Sequence, residues 1–208
     1  LDQVFVHPIL DGRDVPPQVG STHIHELELV MDELGLGKIA TVSGRYYAMD
    51  RDKRWERTQL YYDAMTLGKG ILKSDPVQAV EDSYKEGVFD EFMLPSVMTK
   101  DGLPIATVDS GDSIIFFNFR PDRARQITRA FVDPEFSGFD RVKQVATYYV
   151  TMTDYDKTIP NVHIAYKNEP LVNTLGEYIA SKGLSQLRAA ETEKYGHVTF
   201  FFNGGREV

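Results

Sequence analysis

The chain has 208 residues, 42% hydrophobic and 26% charged, which is enough for one full globular domain and part of a second. Its formal net charge of -8 argues against general binding to nucleic acid or to an anionic membrane, since both attract spread positive charge. The sequence contains no cysteine, which excludes disulfides, thiolate metal sites and a thiol nucleophile.

Targeting signals are not evident in the sequence. No apolar run approaches the roughly 20 residues that span a bilayer, and the start lacks the pattern of a signal peptide. We therefore expect a soluble, cytoplasmic protein. Because Leu1 and Asp2 lead almost directly into an apolar stretch, we also expect the chain to be a piece of a longer one.

Strand and helix patterns alternate along most of the chain. The first half predicts strands at 4–10 and 38–42 and helices at 21–34, 55–67 and 75–85, with Asp75 as N-cap before Pro76. Segments 92–99 and 103–108 flank a turn signal at 100–102 and predict a hairpin. The second half predicts strands at 113–119 and 145–151, with a helix between them that ends near 131.

The last part of the chain reads differently. Residues 154–170 are polar and read as an irregular connection, after which we predict a helix at 173–182 and strands at 186–190 and 198–202. The alternation predicts an α/β fold: a mostly parallel sheet flanked by helices, one antiparallel hairpin, and a partial second domain. We place the domains at 1–167 and 168–208.

Three predicted strands end in loops that carry arginine. These arginines are Arg13, Arg45, Arg51, Arg120 and Arg123. Loops at the carboxyl ends of parallel strands share one edge of a sheet, where ligands of open α/β folds bind. Because guanidinium groups grip phosphate or carboxylate through paired hydrogen bonds, the pattern indicates a site for a small molecule with anionic groups.

Two further residues suit the same site. Asp14 would be kept ionised by the arginines and would accept hydrogen bonds from substrate hydroxyls. Pro121, read as the start of a helix, would aim backbone N–H groups at the anion.

Structural interpretations compete with these. Arginines beside aspartates, as in Asp50-Arg51-Asp52 and Asp122-Arg123, are more often solvated ion pairs. Tyr46, Tyr47 and Trp55 suit packing better than ligand stacking. Lys194 lies either in a solvated charged turn or opposite the same anion across a cleft.

A metal site is not favoured by the histidines, because they are scattered along the chain. They are His7, His23, His25, His163 and His197.

Four segments resemble the cofactor-independent phosphoglycerate mutases in order and spacing. They are LDGRD at 10–14, SGRYYAMDRDKRW at 43–55, NFRPDR at 118–123 and AETEKYGHVTFFFNGG at 190–205. The resemblance covers almost the whole chain. It implies a phosphotransferase domain, which is 1–167 here, inserted into a domain like alkaline phosphatase, to which 168–208 would belong.

The resemblance also implies an activity. Members interconvert 3- and 2-phosphoglycerate in glycolysis through a phosphoserine, with two manganese ions and no need for 2,3-bisphosphoglycerate. Carried over, the phosphoglycerate ligands would be Arg13, Asp14, Arg45, Arg51, Arg120, Arg123 and Lys194. The parent enzyme would be a monomer without nucleic-acid or membrane partners.

The family's serine, metal ligands and one substrate-binding histidine are expected outside this chain, before residue 1 or after residue 208. We therefore expect the 208 residues alone to be inactive, with no catalytic or metal-binding residue among them. Two alternatives remain: a non-catalytic binding module for phosphorylated sugar acids, and a structural domain whose arginines form only surface pairs.

Overall fold

The structure is a computed structural model that describes residues 3–167, 169 and 171–206. The chain divides into two compact units, Leu1–Tyr166 and Lys167–Val208. The strands of the described residues all lie in the first unit, where helices flank mostly parallel pairs. The predicted α/β class is confirmed.

In the first half of this unit, the part of the chain that the structure describes forms seven short strands. They are β1 Phe5–Val6, β2 Ile9–Leu10, β3 Lys38–Ile39, β4 Thr41–Gly44, β5 Ile71–Lys73, β6 Ser96–Lys100 and β7 Leu103–Pro104. The parallel pairs are β1 with β3, β2 with β4, and β5 with β6. The β6–β7 hairpin is antiparallel as predicted, and β4 also pairs antiparallel with β6.

A separate parallel sheet forms from the second half of the unit. Its strands are β8 Ser113–Phe116, β9 Tyr148–Thr151 and β10 Val162–Ile164, in the order β10-β9-β8. The sequence predicted neither β5 nor β10, and it treated the residues of β10 as irregular connection. The predicted single sheet is thus divided into smaller ones.

Among the described residues, five α-helices belong to the first unit and two to the second. They are α1 Gly20–Leu34, α2 Arg45–Ala48, α3 Trp55–Leu67, α4 Pro76–Lys85, α5 Arg125–Val132, α6 Leu175–Ser181 and α7 Tyr195–Thr199. The predicted cap of α4 is confirmed, because the Asp75 side chain accepts a hydrogen bond from the Gln78 N–H at 2.8 Å. Gly35, at φ +62°, ends α1 as the sequence indicates.

Two hydrophobic clusters hold the first unit together. Tyr62 of α3, Phe131 of α5 and Tyr149 of β9 belong to one cluster, and Val42 of β4 and Met98 of β6 belong to the other. All five side chains are buried. Because the strands that end in arginine loops pack into these clusters, the clusters determine where those loops begin.

The strand predicted over 4–10 is divided into β1 and β2 at His7 and Pro8. Proline has no N–H to donate to a neighbouring strand, so the ladder is interrupted there. The Pro8 carbonyl still accepts a hydrogen bond from the Ser43 N–H at 3.2 Å. The chain therefore resumes its parallel course in β2.

In the second unit the predicted helix is present as α6, but both predicted strands are wrong. Residues 186–190 are irregular, and 198–202 lie in α7 and in the 3₁₀ turn Phe201–Asn203. Among the residues described in this unit, Gly176 alone is buried. A strand needs a neighbour to satisfy its backbone groups, and these residues instead form local bonds such as Phe200 N–H to Gly196 C=O.

A pH prediction follows from His7 in the break between β1 and β2. Its Nδ1 lies 2.9 Å from Thr41 Oγ1, and burial lowers the pKa of His7 from 6.5 to about 4. The unfolded chain then binds more protons between these values, so stability falls as pH falls through this range. Between pH 7 and pH 4 we expect the free energy of unfolding to drop about 3 kcal/mol more in wild type than in His7→Gln.

Denaturant titrations at several pH values measure this difference. His23→Gln serves as the control, because its ring is 64% exposed, and it should keep the wild-type pH slope. An unchanged slope in His7→Gln would contradict the prediction.

Candidate functional site

Loops that follow β2 and β4 of one sheet and β8 of another meet at one cavity of about 260 Å³. It is lined by Ile9, Leu10, Asp11, Asp14, Arg45, Met49, Asn118, Arg120 and Arg123. Four of the predicted ligands therefore line one cavity, although β2 and β8, which precede two of the loops, belong to different sheets.

Arg45 occupies the inner side of this cavity. It starts α2 directly after β4, and its guanidinium group pairs with Asp11 and, at 2.9 Å, with Asp14. Arg45 is 9% exposed, and its Nε is buried without a hydrogen-bond partner in the structure. The hydrogen bond from Arg45 and its charge lower the pKa of Asp14, so this carboxylate is ionised at neutral pH.

Asp11 was missed as a functional residue. Besides pairing with Arg45, it accepts hydrogen bonds at 3.4 Å from the N–H groups of Arg13 and Asp14. Aspartate commonly bonds the backbone two or three residues ahead in a turn, and Gly12, at φ +60°, supports such a turn. That local signal was available in the sequence.

Asp122 joins two other arginines. Its carboxylate accepts hydrogen bonds from Arg51 at 2.8 Å and from Arg120 at 2.6 and 3.0 Å. Burial acts to raise the pKa of Asp122, but the hydrogen bonds from Arg120 and Arg51 outweigh it and the pKa is lowered. The alternative of a solvated Asp122–Arg123 pair does not describe this residue, because Asp122 pairs with other arginines.

Arg123 lies at the positive centre of the group. Its Nη1 donates to the Met49 carbonyl at 3.1 Å. Burial lowers the pKa of Arg123, and the positive charges of Arg45 and Arg51 lower it further. This nearby positive charge is what an anionic ligand would neutralise.

The two remaining predicted arginines lie outside the cavity lining. Arg51 reaches the group through Asp122, while Arg13 is half exposed and pairs with Glu91 at 3.4 Å.

The Pro121 prediction is wrong. α5 begins at Arg125, and Pro121 instead starts a turn closed by the Ala124 N–H on its carbonyl at 3.0 Å. The N-terminus of α5 therefore lies beyond this turn. Lys194 lies in the 3₁₀ turn Thr192–Lys194 of the second unit and is exposed, so its role toward an anion stays a prediction.

A turn that begins with the buried residue Asp90 supports the loops from behind. This 3₁₀ turn, Asp90–Phe92, lies against Gly12 and Gly44, and the Gly44 N–H donates to the Met93 carbonyl at 2.8 Å. The Asp90 carboxylate accepts the N–H groups of Val19 at 3.1 Å and Gly20 at 3.0 Å. Sequence reasoning missed Asp90, because the backbone N–H groups that its carboxylate accepts lie about 70 residues away.

No group of three or more His, Asp or Glu side chains among the described residues could hold a metal ion. Within the same residues, no helix is long and apolar enough to cross a membrane.

The first unit is thus an α/β unit whose strand-end loops bring Arg45, Arg120 and Arg123 to one small cavity, a place where ligands of open α/β folds commonly bind. Residues 1–157 match the family described as the BPG-independent PGAM N-terminus, and the chain belongs to this family.

Relatives and a solved structure agree with this membership. The whole chain is 62% identical to a 2,3-bisphosphoglycerate-independent phosphoglycerate mutase of Clostridium perfringens and 60% to one of Clostridium tetani. It spans about 40% of the length of these relatives. A crystal structure of Leishmania mexicana phosphoglycerate mutase at low cobalt concentration matches the whole chain, and 40% of its own, with a TM-score of 0.86 at 32% identity.

Gly44 provides a test of the support behind the loops. A Cβ at this position would lie 2.5 Å from the Asp90 carbonyl oxygen, which is backbone and cannot rotate away. We expect Gly44→Ala to lower the free energy of unfolding by about 3 kcal/mol. Chemical denaturation measures this, with Gly196→Ala as control, since a Cβ there meets nothing within 4 Å. Equal stability of the two variants would contradict the close approach.

Proposed function

We propose that this chain is the substrate-binding portion of a phosphoglycerate mutase that interconverts 3- and 2-phosphoglycerate. The observation that carries the proposal is one cavity lined by Arg45, Arg120 and Arg123 from two loops and by Asp11 and Asp14 from a third. Membership of the family and the similarity to 2,3-bisphosphoglycerate-independent phosphoglycerate mutases support phosphoglycerate as the anion.

The cavity suits a ligand with two anionic groups. The arginines form two groups of ion pairs, because Arg45 bonds Asp11 and Asp14 while Arg51 and Arg120 share Asp122. An entering phosphate or carboxylate would replace these carboxylates as hydrogen-bond acceptor, so the guanidinium groups need little reordering.

Asp14 would contribute differently from the arginines. Its side chain is 70% exposed and its pKa is lowered by Arg45, so it presents an ionised oxygen toward solvent. Such an oxygen accepts a hydrogen bond from a glycerate hydroxyl. We therefore propose that the arginines hold the anionic groups and Asp14 orients the hydroxyl.

The remaining chemistry is proposed to lie outside the described residues. By family resemblance, a serine carries the phosphoryl group and two manganese ions activate it. The described residues offer no cluster for a metal, and the roles proposed for the arginines and Asp14 do not involve one. We propose that 1–167 is the phosphotransferase domain and that 168–208 belongs to a phosphatase-like domain. Lys194 of the second segment would reach the phosphate. We also propose that the parent enzyme is a cytoplasmic monomer.

Binding tests this proposal. Titration of the chain with 3-phosphoglycerate, followed by NMR because millimolar affinity is expected, should show saturable binding. We expect Arg120→Ala to bind 3-phosphoglycerate at least about tenfold more weakly, because the variant lacks one guanidinium group that would bond the anion. Lys100→Ala, which removes an exposed charge in the β6–β7 hairpin, should bind like wild type. Absence of binding by wild type would leave only the structural interpretation of the arginines.

A turnover assay tests whether this chain only binds the substrate while the catalytic residues lie outside it. We expect no conversion of 3-phosphoglycerate by the 208-residue chain with manganese, even at concentrations where binding saturates. Phosphorus NMR of the mixture would detect 2-phosphoglycerate. Its formation would show that the chemistry resides within this chain and would refute the proposal.

A further inference from the structure

Asp50 is a buried carboxylate beside the arginine loops, although it lines no part of the cavity. It is 3% exposed. One of its oxygens, Oδ2, accepts three hydrogen bonds, from the N–H groups of Asp52 at 3.0 Å and Arg54 at 2.9 Å and from Gln126 Nε2 at 2.8 Å. A buried carboxylate with this many donors is held firmly in place.

Gln126 completes the same arrangement from α5. While its Nε2 donates to Asp50, its Oε1 accepts the N–H of Lys53 at 2.7 Å. Lys53 has φ +58°, a left-handed conformation that needs support in a residue other than glycine. One glutamine side chain therefore fixes the turn 50–54 at two points, and Arg51 projects from that turn.

The position of Gln126 connects two arginine loops. Gln126 is the second residue of α5, which follows the loop of Arg120 and Arg123 within two residues. The loops are joined at their tips by the Arg51–Asp122 pair and at their bases by the Asp50–Gln126 hydrogen bond. An anion that binds Arg51 would compete with Asp122 for this arginine. The hydrogen bond between Asp50 and Gln126 is buried and would stay intact.

We propose that Asp50 and Gln126 are positioning residues that set the separation of Arg45, which begins the helix leading into the turn 50–54, from Arg120 and Arg123 for a ligand with anionic groups at both ends. This inference rests on the proposed function, because it explains how the proposed site would select a ligand of a certain length. Neither residue touches the ligand.

The separation of the loops affects ligands in different ways. A ligand with two anionic groups gains affinity only when both groups reach their arginines at once. A ligand with one anionic group engages one side and tolerates a change of spacing. General damage to the fold would weaken both kinds of ligand equally.

The experiment uses the 208-residue chain and two ligands, 3-phosphoglycerate and inorganic phosphate, titrated by NMR. Gln126→Met keeps the size of the side chain and removes its hydrogen bonds to Asp50, Lys53 and Thr58. We expect it to bind 3-phosphoglycerate about tenfold more weakly, and inorganic phosphate within about twofold of wild type. The matched control is Gln78→Met, because Gln78 donates to Asp82 at 2.8 Å on the distant surface of α4. It should leave both affinities unchanged.

Asp50→Asn provides a second variant, since an amide cannot accept all three donors with the strength of a carboxylate. The same selective loss is expected. Equal weakening of both ligands, or no weakening in a folded variant, would overturn the positioning role. Unfolding of both variants would assign the pair to fold stability and would also overturn it. Failure of wild type to bind either ligand would refute the proposed function, and this inference with it.

Discussion

Guanidinium groups as close as those of Arg45, Arg51 and Arg123 repel one another, and the carboxylates between them make the site possible. Asp11 and Asp14 hold Arg45, and Asp122 holds both Arg51 and Arg120. Because the lowered pKa values of Asp14 and Asp122 keep these groups charged at neutral pH, the arrangement persists without a ligand. The site is thereby pre-organised for an anion.

Two buried carboxylates behind the site hold the loops in a fixed conformation. Asp90 accepts the N–H groups that begin α1, and Asp50 accepts those of the turn that carries Arg51. Each of these carboxylates bonds the protein backbone and not the ligand. Backbone N–H groups in irregular loops need acceptors, and a buried carboxylate can accept several at once.

Much of the site could be predicted because its arginines directly follow strands that are visible as apolar runs. Of the five arginines that this pattern predicts to converge, Arg45, Arg120 and Arg123 line one cavity, while Arg13 and Arg51 do not. The carboxylates that pair with these arginines were less predictable from the sequence. Nothing near Asp122 in the sequence indicates a pair with Arg51, which is 71 residues away. The strands predicted at 186–190 and 198–202 failed for a related reason, since an apolar run becomes a strand only beside a neighbour.

The sequence by itself determined the α/β class, the caps at Asp75 and Gly35, the β6–β7 hairpin and the identity of the arginines. Each depends on residues close together along the chain, where propensity and turn chemistry act. The tertiary structure alone decided that β2 and β8 belong to different sheets, which carboxylate meets which arginine, and that Asp50 and Gln126 join two loops. These features depend on contacts between distant segments, which exist only once the cores around Tyr62 and Val42 have formed.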